Sequence, residues 1–286
     1  MHAFTVLEWK GLHTVQTWGP FHQQLHEAIY HVTEAHIHDC WRVISWTENL
    51  IDLRQKKLED LYKLATEIVN QLSSSSTVEW MDLQPEDEHD EILWQAILWN
   101  RDALHYVHLN EGIRNGDVRI MEQTLPYLLF HFAGGKNLKY TIEILELLQC
   151  LHWEWPPDVK DFVKHRGWLM NLTGCPNGFF PIDRGQEHNI RDIKVTHQVQ
   201  GPNVSWDLMK CISPAIPTLV QVWSSHTDPA KKKDIEKLKG VYHTSEIHVQ
   251  KDGWCARVKA DHVEDIVSLG AAHLFSWKTM QQWWEH

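Results

Sequence analysis

Basic residues are scarce in this chain. Its 286 residues carry 27 Lys and Arg against 38 Asp and Glu, a formal charge of −11. A chain this acidic repels a phosphate backbone and has no basic face for non-specific nucleic-acid binding, so nucleic acid is not expected as a partner of the chain alone. Its one basic run, Lys231-Lys232-Lys233, sits among Asp228, Asp234 and Glu236 and reads as a solvated helix start. Long apolar runs are missing as well. No stretch reaches the roughly 18 residues of a membrane-spanning helix, and MHAFTVLEWKGLHT has neither the basic region nor the apolar core of a secretory signal. No membrane partner is expected. The five cysteines, Cys40, Cys150, Cys175, Cys211 and Cys255, stand singly, with no CxxC pair and no zinc-finger spacing. Odd in number, they read as free thiols of an intracellular protein, cytoplasmic or nuclear. There is no Gly-rich phosphate loop, no GxSxG elbow and no kinase signature, which counts against several large enzyme classes.

What is present is the composition of a globular chain, 43% hydrophobic and 23% charged. Its sixteen tryptophans fall largely within helical patterns (Trp41, Trp94, Trp99) and read as core or interface anchors. Apolar residues recur at three and four. Leu25, Ala28, Ile29, Val32 and Ala35 predict a helix from Phe21 to Val43. Thr47 is placed to cap a second helix with Leu50, Leu53, Leu58, Leu61, Leu64, Ile68 and Leu72 inward, ended by the serine run from Ser73. A third runs from Asp90 to Arg114 and stops at Asn115-Gly116. Asp117 and Asn137 are placed to cap two more, the first containing Pro126. Asp158 to Leu169, Ser205 to Trp223 and Asp261 to Leu274 predict further helices, with the final WKTMQQWWEH a short one. Lys251-Asp252-Gly253 is a turn signal between SEIHV and CARVKA, so a small β-hairpin is expected near 245–259. The fold class is mainly α, a multi-helix array with short Gly/Pro breaks. A main helical domain is expected over 1–225, with a mobile acidic loop near 73–90, and a smaller linker-attached segment over 226–286.

Potential chemistry is densest in NLTGCPNGFFPIDRGQEHNIRDIK, residues 171–194, a Gly/Pro turn followed by a charged helix. In that helix Asp183, Glu187, Arg191 and Lys194 share a face. The ordinary role of such a ladder is i,i+4 charge pairing. The functional alternative is a divalent cation held by Glu187 with Asp183 or Asp192 assisting and His188 nearby. On the first helix His22 and His26 share a face, as metal-binding histidines would, but nothing around them fixes a metal motif, and a polar helix face is the plainer reading. Asp102, His105 and His108 are a similar case. No cofactor is expected, with Mg or Mn only under the cation alternative.

The blocks LHTVQTWGPFHQQLHEAIYHVTEAHIHDCW, NRDALHYVHLNEGIRNGDVRIMEQTLPYLLFHFAGGKNLKYTIEILELLQCLHWEWPPDV, NLTGCPNGFFPIDRGQEHNIRDIK and GPNVSWDLMKCISPAIPTL resemble an uncharacterised family, known only as a domain of unknown function and multiplied in mushroom-forming fungi. The resemblance runs from Leu7 to the end. It implies descent from mobile elements. By analogy, Glu187 would be the last carboxylate of a DDE-type transposase core of ribonuclease-H-like fold, in which three carboxylates hold two metal ions. Family members carry a Gly-Asp-Gln block and further acidic positions upstream that have no counterpart after Met1, so the resemblance implies an N-terminally truncated member. The leading expectation is therefore an intracellular, transposon-derived helical protein without independent catalysis, acting as a scaffold or interaction module with a protein partner or a missing N-terminal region. The alternatives are the remnant of a metal-dependent nucleic-acid strand-transferase and a histidine-rich metal-binding protein.

Overall fold

Side-chain caps open several of the helices. The computed structural model describes residues 22–186, 190, 231–255 and 262–276. The chain divides into two compact units, one built from 1–107 and 228–265, the other from 108–227 and 266–286. Helices dominate the described residues of both.

In the first unit, α1 (His22–Ser45) follows the expected helix from His22 and runs two residues past Val43. Thr47 does not cap the next one. Its hydroxyl bonds back to the Ser45 carbonyl at 3.1 Å, and Asn49 caps a 3-10 turn, Leu50–Gln55, by accepting the Ile51 N–H. The expected long second helix is thus broken, and α2 begins only at Leu58 (Leu58–Leu72). The serine run also starts a helix. Ser74 Oγ accepts the Thr77 N–H at 3.2 Å and caps α3 (Ser75–Asp82). Across the acidic loop, Asp90 takes the Leu93 N–H at 2.9 Å and opens α4 (Glu91–Asn115), whose residues through Val107 belong to this unit. One apolar cluster joins Cys40, Ile68, Leu72, Val78, Met81, Leu93, Ile97 and Leu98. A second sets Val32 and Ala35 of α1 against Ile235, Leu238 and Tyr242 of α8 (Lys231–Ser245). Each fully buried Leu or Ile contributes roughly 1.5–3 kcal/mol.

In the second unit, Gly116, at φ +73°, ends α4, and Asp117 accepts the Arg119 and Ile120 N–H groups to start α5 (Val118–Gly134). α5 continues through Pro126, which has no N–H to donate to the preceding turn. Asn137 stands before α6 (Leu138–Gln149), though its side chain makes no capping bond. A π turn, Cys150–Glu154, leads to Pro157 at the head of α7 (Pro157–Phe162), which passes into a second π turn, Val163–Gly167. α9 (Ile266–Phe275) packs on α5 so closely that a Cβ added at Gly134 would overlap the Ile266 carbonyl, and one added at Gly270 the Phe130 carbonyl. Leu129, Ala133 and Leu274 form the buried centre of this packing.

The small antiparallel ribbon lies here, between β1 (Leu169–Met170) and β2 (Phe180–Pro181), with Leu169 opposite Pro181 and Met170 opposite Phe180. Residues 246–255, where a hairpin was expected, form turns instead. The Lys251-Asp252-Gly253 turn does form, with Gly253 at φ +70° and the Trp254 N–H on the Lys251 carbonyl at 3.2 Å. The backbone on either side bonds to Asp90 and Glu91 rather than to a partner strand. Residues 256–259 and the expected helix 205–223 lie outside the described residues.

Candidate functional site: a buried histidine–aspartate network

The stretch 171–194 resolves into a hairpin loop and a helix start. Asn171 staples the loop: its side chain accepts the Thr173 and Gly174 N–H groups and donates to the Cys175 carbonyl at 2.9 Å. Residues 182–186 are helical, and Asp183 is exposed there, its carboxylate accepting the Arg184 N–H at 2.8 Å. Glu187, His188 and Asp192 lie outside the described residues. The backbone of His22 belongs to the first turn of α1. His26 is engaged in an aromatic group: its Nδ1 is 2.8 Å from the Tyr106 hydroxyl, and its ring lies 4.6 Å from that of Tyr30. On α4, Asp102 accepts from Arg101 Nε at 2.8 Å, and His108 is exposed.

Asp102 and His105 bring their polar atoms within 4.8 Å of one another, and a separate, buried polar group converges in the same unit. His248, in the turn after α8, sets its Nδ1 2.7 Å from Asp39 Oδ2 on α1, with both side chains buried. The other oxygen of Asp39 accepts Arg42 Nε at 2.9 Å. On its far side, His248 Nε2 faces His36 Nδ1 at 3.2 Å and the Asn100 amide nitrogen at 3.3 Å. That amide also donates to the Leu72 carbonyl at 2.9 Å and lies 3.4 Å from Cys40 Sγ. The Tyr242 ring leans on His36 at a tilt of 56°, with ring centroids 4.4 Å apart. Helix periodicity explains the convergence: His36, Asp39 and Cys40 fall on the inward side of α1, and Asn100 on that of α4.

Electrostatics follow from burial and pairing. Burial alone would raise the Asp39 carboxyl, but the hydrogen bond and charge of His248, together with Arg42, outweigh it and hold the group below the usual carboxylate range. Burial first, and then His248, depress His36 well below an ordinary histidine. Burial and the nearby Asp39 charge push the Cys40 thiol far up. An aspartate orienting a histidine beside a thiol has the outline of a nucleophilic triad. Here the histidine's outer nitrogen meets a second histidine and an amide, and the thiol is fully buried and protonated. The arrangement therefore serves as a clamp between α1, α4 and the turn after α8.

Asp39, Asn100 and His248 carry no motif in the sequence. Asn100 has one available signal, a polar residue directly after the apolar run Ala96-Ile97-Leu98-Trp99. His248 has none, because its partner Asp39 lies 209 positions away.

A family profile described as a family of unknown function, DUF6589, matches residues 1–228. No curated protein and no solved structure matches the chain. Among the described residues, no helix is long and apolar enough to cross a membrane.

Proposed function

The chain belongs to DUF6589, and from that premise we propose that it is an intracellular helical scaffold of mobile-element origin, acting on a protein partner through its surface rather than by catalysis of its own. The observation that carries this reading is the sealed state of the network. The convergent acid, base and thiol are turned inward and occupied in joining helices. The first unit also turns large apolar groups outward: Trp46, Ile51, Leu58, Tyr62 and Leu83 are all more than half exposed, from the end of α1 to the end of α3. Large exposed apolar groups suit contact with another protein. The mobile-element origin is what the sequence resemblance implies.

Two measurements test it. The purified chain is incubated with Mg or Mn and tailed duplex DNA, and no strand cleavage or joining is expected; metal-dependent cleavage abolished by Asp183→Ala would establish the strand-transferase reading instead. In cell extract, chemical cross-links to other proteins are expected to cluster at Lys56, Lys57 and Lys63 and to disappear in a Leu58→Glu, Tyr62→Glu double variant. Links spread evenly over the lysines would count against a scaffold working through this surface.

A further inference from the structure

The His248 turn is held at its two ends by unlike chemistry. At one end, Asp90 Oδ2 accepts the Lys251 N–H at 2.7 Å and the Trp254 carbonyl accepts the Glu91 N–H at 3.0 Å. At the other end the anchor is the His248 ring, buried between Asp39, His36 and Asn100.

Proton counting at the His248 end is restrictive. The Asp39 carboxylate only accepts, so His248 Nδ1 carries a hydrogen. With both rings neutral, His36 donates its Nδ1–H to His248 Nε2, and the Asn100 amide turns its second hydrogen the same way. One extra proton fits. Placed on His248 it sits on Nε2 and points at His36 Nδ1, which accepts once His36 shifts its own hydrogen to Nε2, while Asp39 beside Nδ1 offsets the ring's charge. A second proton does not fit. Two cationic rings would direct N–H against N–H across 3.2 Å in a buried site, and the Asn100 nitrogen, which must donate to Leu72, cannot accept.

We propose that the His248 turn is an acid-released latch: residues 246–250 stay on α1 and α4 while the His36–His248 pair holds no more than one extra proton, and lift away when both rings are charged. The groups facing the pair are accounted for. From α1 they are His36, Asp39, Cys40 and, through Asp39, Arg42. From α8 there is Tyr242, from α4 Asn100 and Trp99, and from α2 the Leu72 carbonyl. Asp39 remains an anion through the mildly acidic range and cannot supply the trigger. The depressed basicity of His36 sets the release on the acid side of an ordinary histidine. Burial raises the Asp90 carboxyl, so Asp90 also moves toward its neutral form as pH falls, and His36→Gln, which leaves Asp90 intact, separates release at the His248 end from loosening at Lys251. In the turn itself Glu246 and Lys251 pair at 3.0 Å near the surface and do not touch the rings.

Hydrogen–deuterium exchange of the full chain at pH 7.5 and 5.0, corrected for intrinsic rates, tests the latch. Peptides spanning 241–250 should exchange at least about tenfold faster at pH 5.0, the effect of one pKa unit, while peptides from α5 and α6 stay unchanged. His36→Gln should remove the acid response. Equal protection at both pH values, or a full response in His36→Gln, overturns the proposal. If His36→Gln shows no cooperative melting at pH 7.5, ring-nitrogen NMR of the wild-type chain decides. Both rings taking full charge in the step that exposes 246–250 supports the latch, and both rings charged while that segment stays protected overturns it.

Discussion

At Asp39 two cationic or hydrogen-donating partners, His248 and Arg42, meet one buried carboxylate. Asp39→Ala leaves both without their acceptor, and breaking such a pair costs about 3–5 kcal/mol. Urea denaturation at pH 7.5 should show it. Lys239→Ala, which removes an ion pair to Glu236 at the surface, should cost less than about 1 kcal/mol. The pH dependence follows from His36. Its folded pKa lies below the unfolded 6.5, so as pH falls through 6.5 the unfolded chain binds a proton the folded one does not. The stability His36 contributes is therefore present above 6.5 and lost below it. Asp39, held below 3.8, keeps its contribution until pH falls under that value, so the urea midpoint should drop between pH 7 and 5, and less so in His36→Gln. Thiol labelling gives an independent check. The exposed Cys175 and Cys255 should react readily in the native chain, and the buried Cys40 only after unfolding.

Among the elements, three glycines in helices predict opposite outcomes. Gly134→Ala and Gly270→Ala would force α5 and α9 apart, since the added Cβ meets backbone, at a cost of about 1–3 kcal/mol. Gly240 in α8 meets nothing within 4 Å, so Gly240→Ala should stabilise by roughly 0.4–1 kcal/mol. Thermal melting of the three variants separates them. Local signals are legible in the amino-acid sequence itself: the Asn115-Gly116 stop, the Asp117 cap and the apolar stripes of α1 and α4. Thr47 misleads because a threonine before an apolar run looks like a cap whether or not the backbone there is helical, and Trp46 at φ +54° turns the chain before a helix can start. Lys251-Asp252-Gly253 makes its turn, but a turn signal does not say whether its flanks find each other or, as here, the N-terminus of α4. The α5–α9 crossing is not legible because neither glycine announces the other.

For the whole molecule, the path of the chain matters more than its length. The first unit is left at 107 and rejoined at 228, and the second is left at 227 and rejoined at 266. The family match ends at 228, before α8 and α9, yet α8 supplies Ile235, Leu238 and Tyr242 to one core and α9 supplies Leu274 to the other. A chain cut after 228 would leave Val32, Ala35, Leu129 and Ala133 uncovered. It should lose cooperative melting and near-ultraviolet dichroism while retaining helical far-ultraviolet signal.

The same interleaved path bears on synthesis. A ribosome releases a chain from its N-terminus, and a domain folds as a unit once its parts have emerged. Neither unit here is contiguous, so when α6 leaves the ribosome both cores still lack a wall. Val32 must wait for α8 and Leu129 for α9, and through that interval the nascent chain presents unfinished apolar surfaces to chaperones. Substitutions that leave the finished protein stable, Gly240→Ala among them, could still change its yield by altering how quickly these two late helices seat.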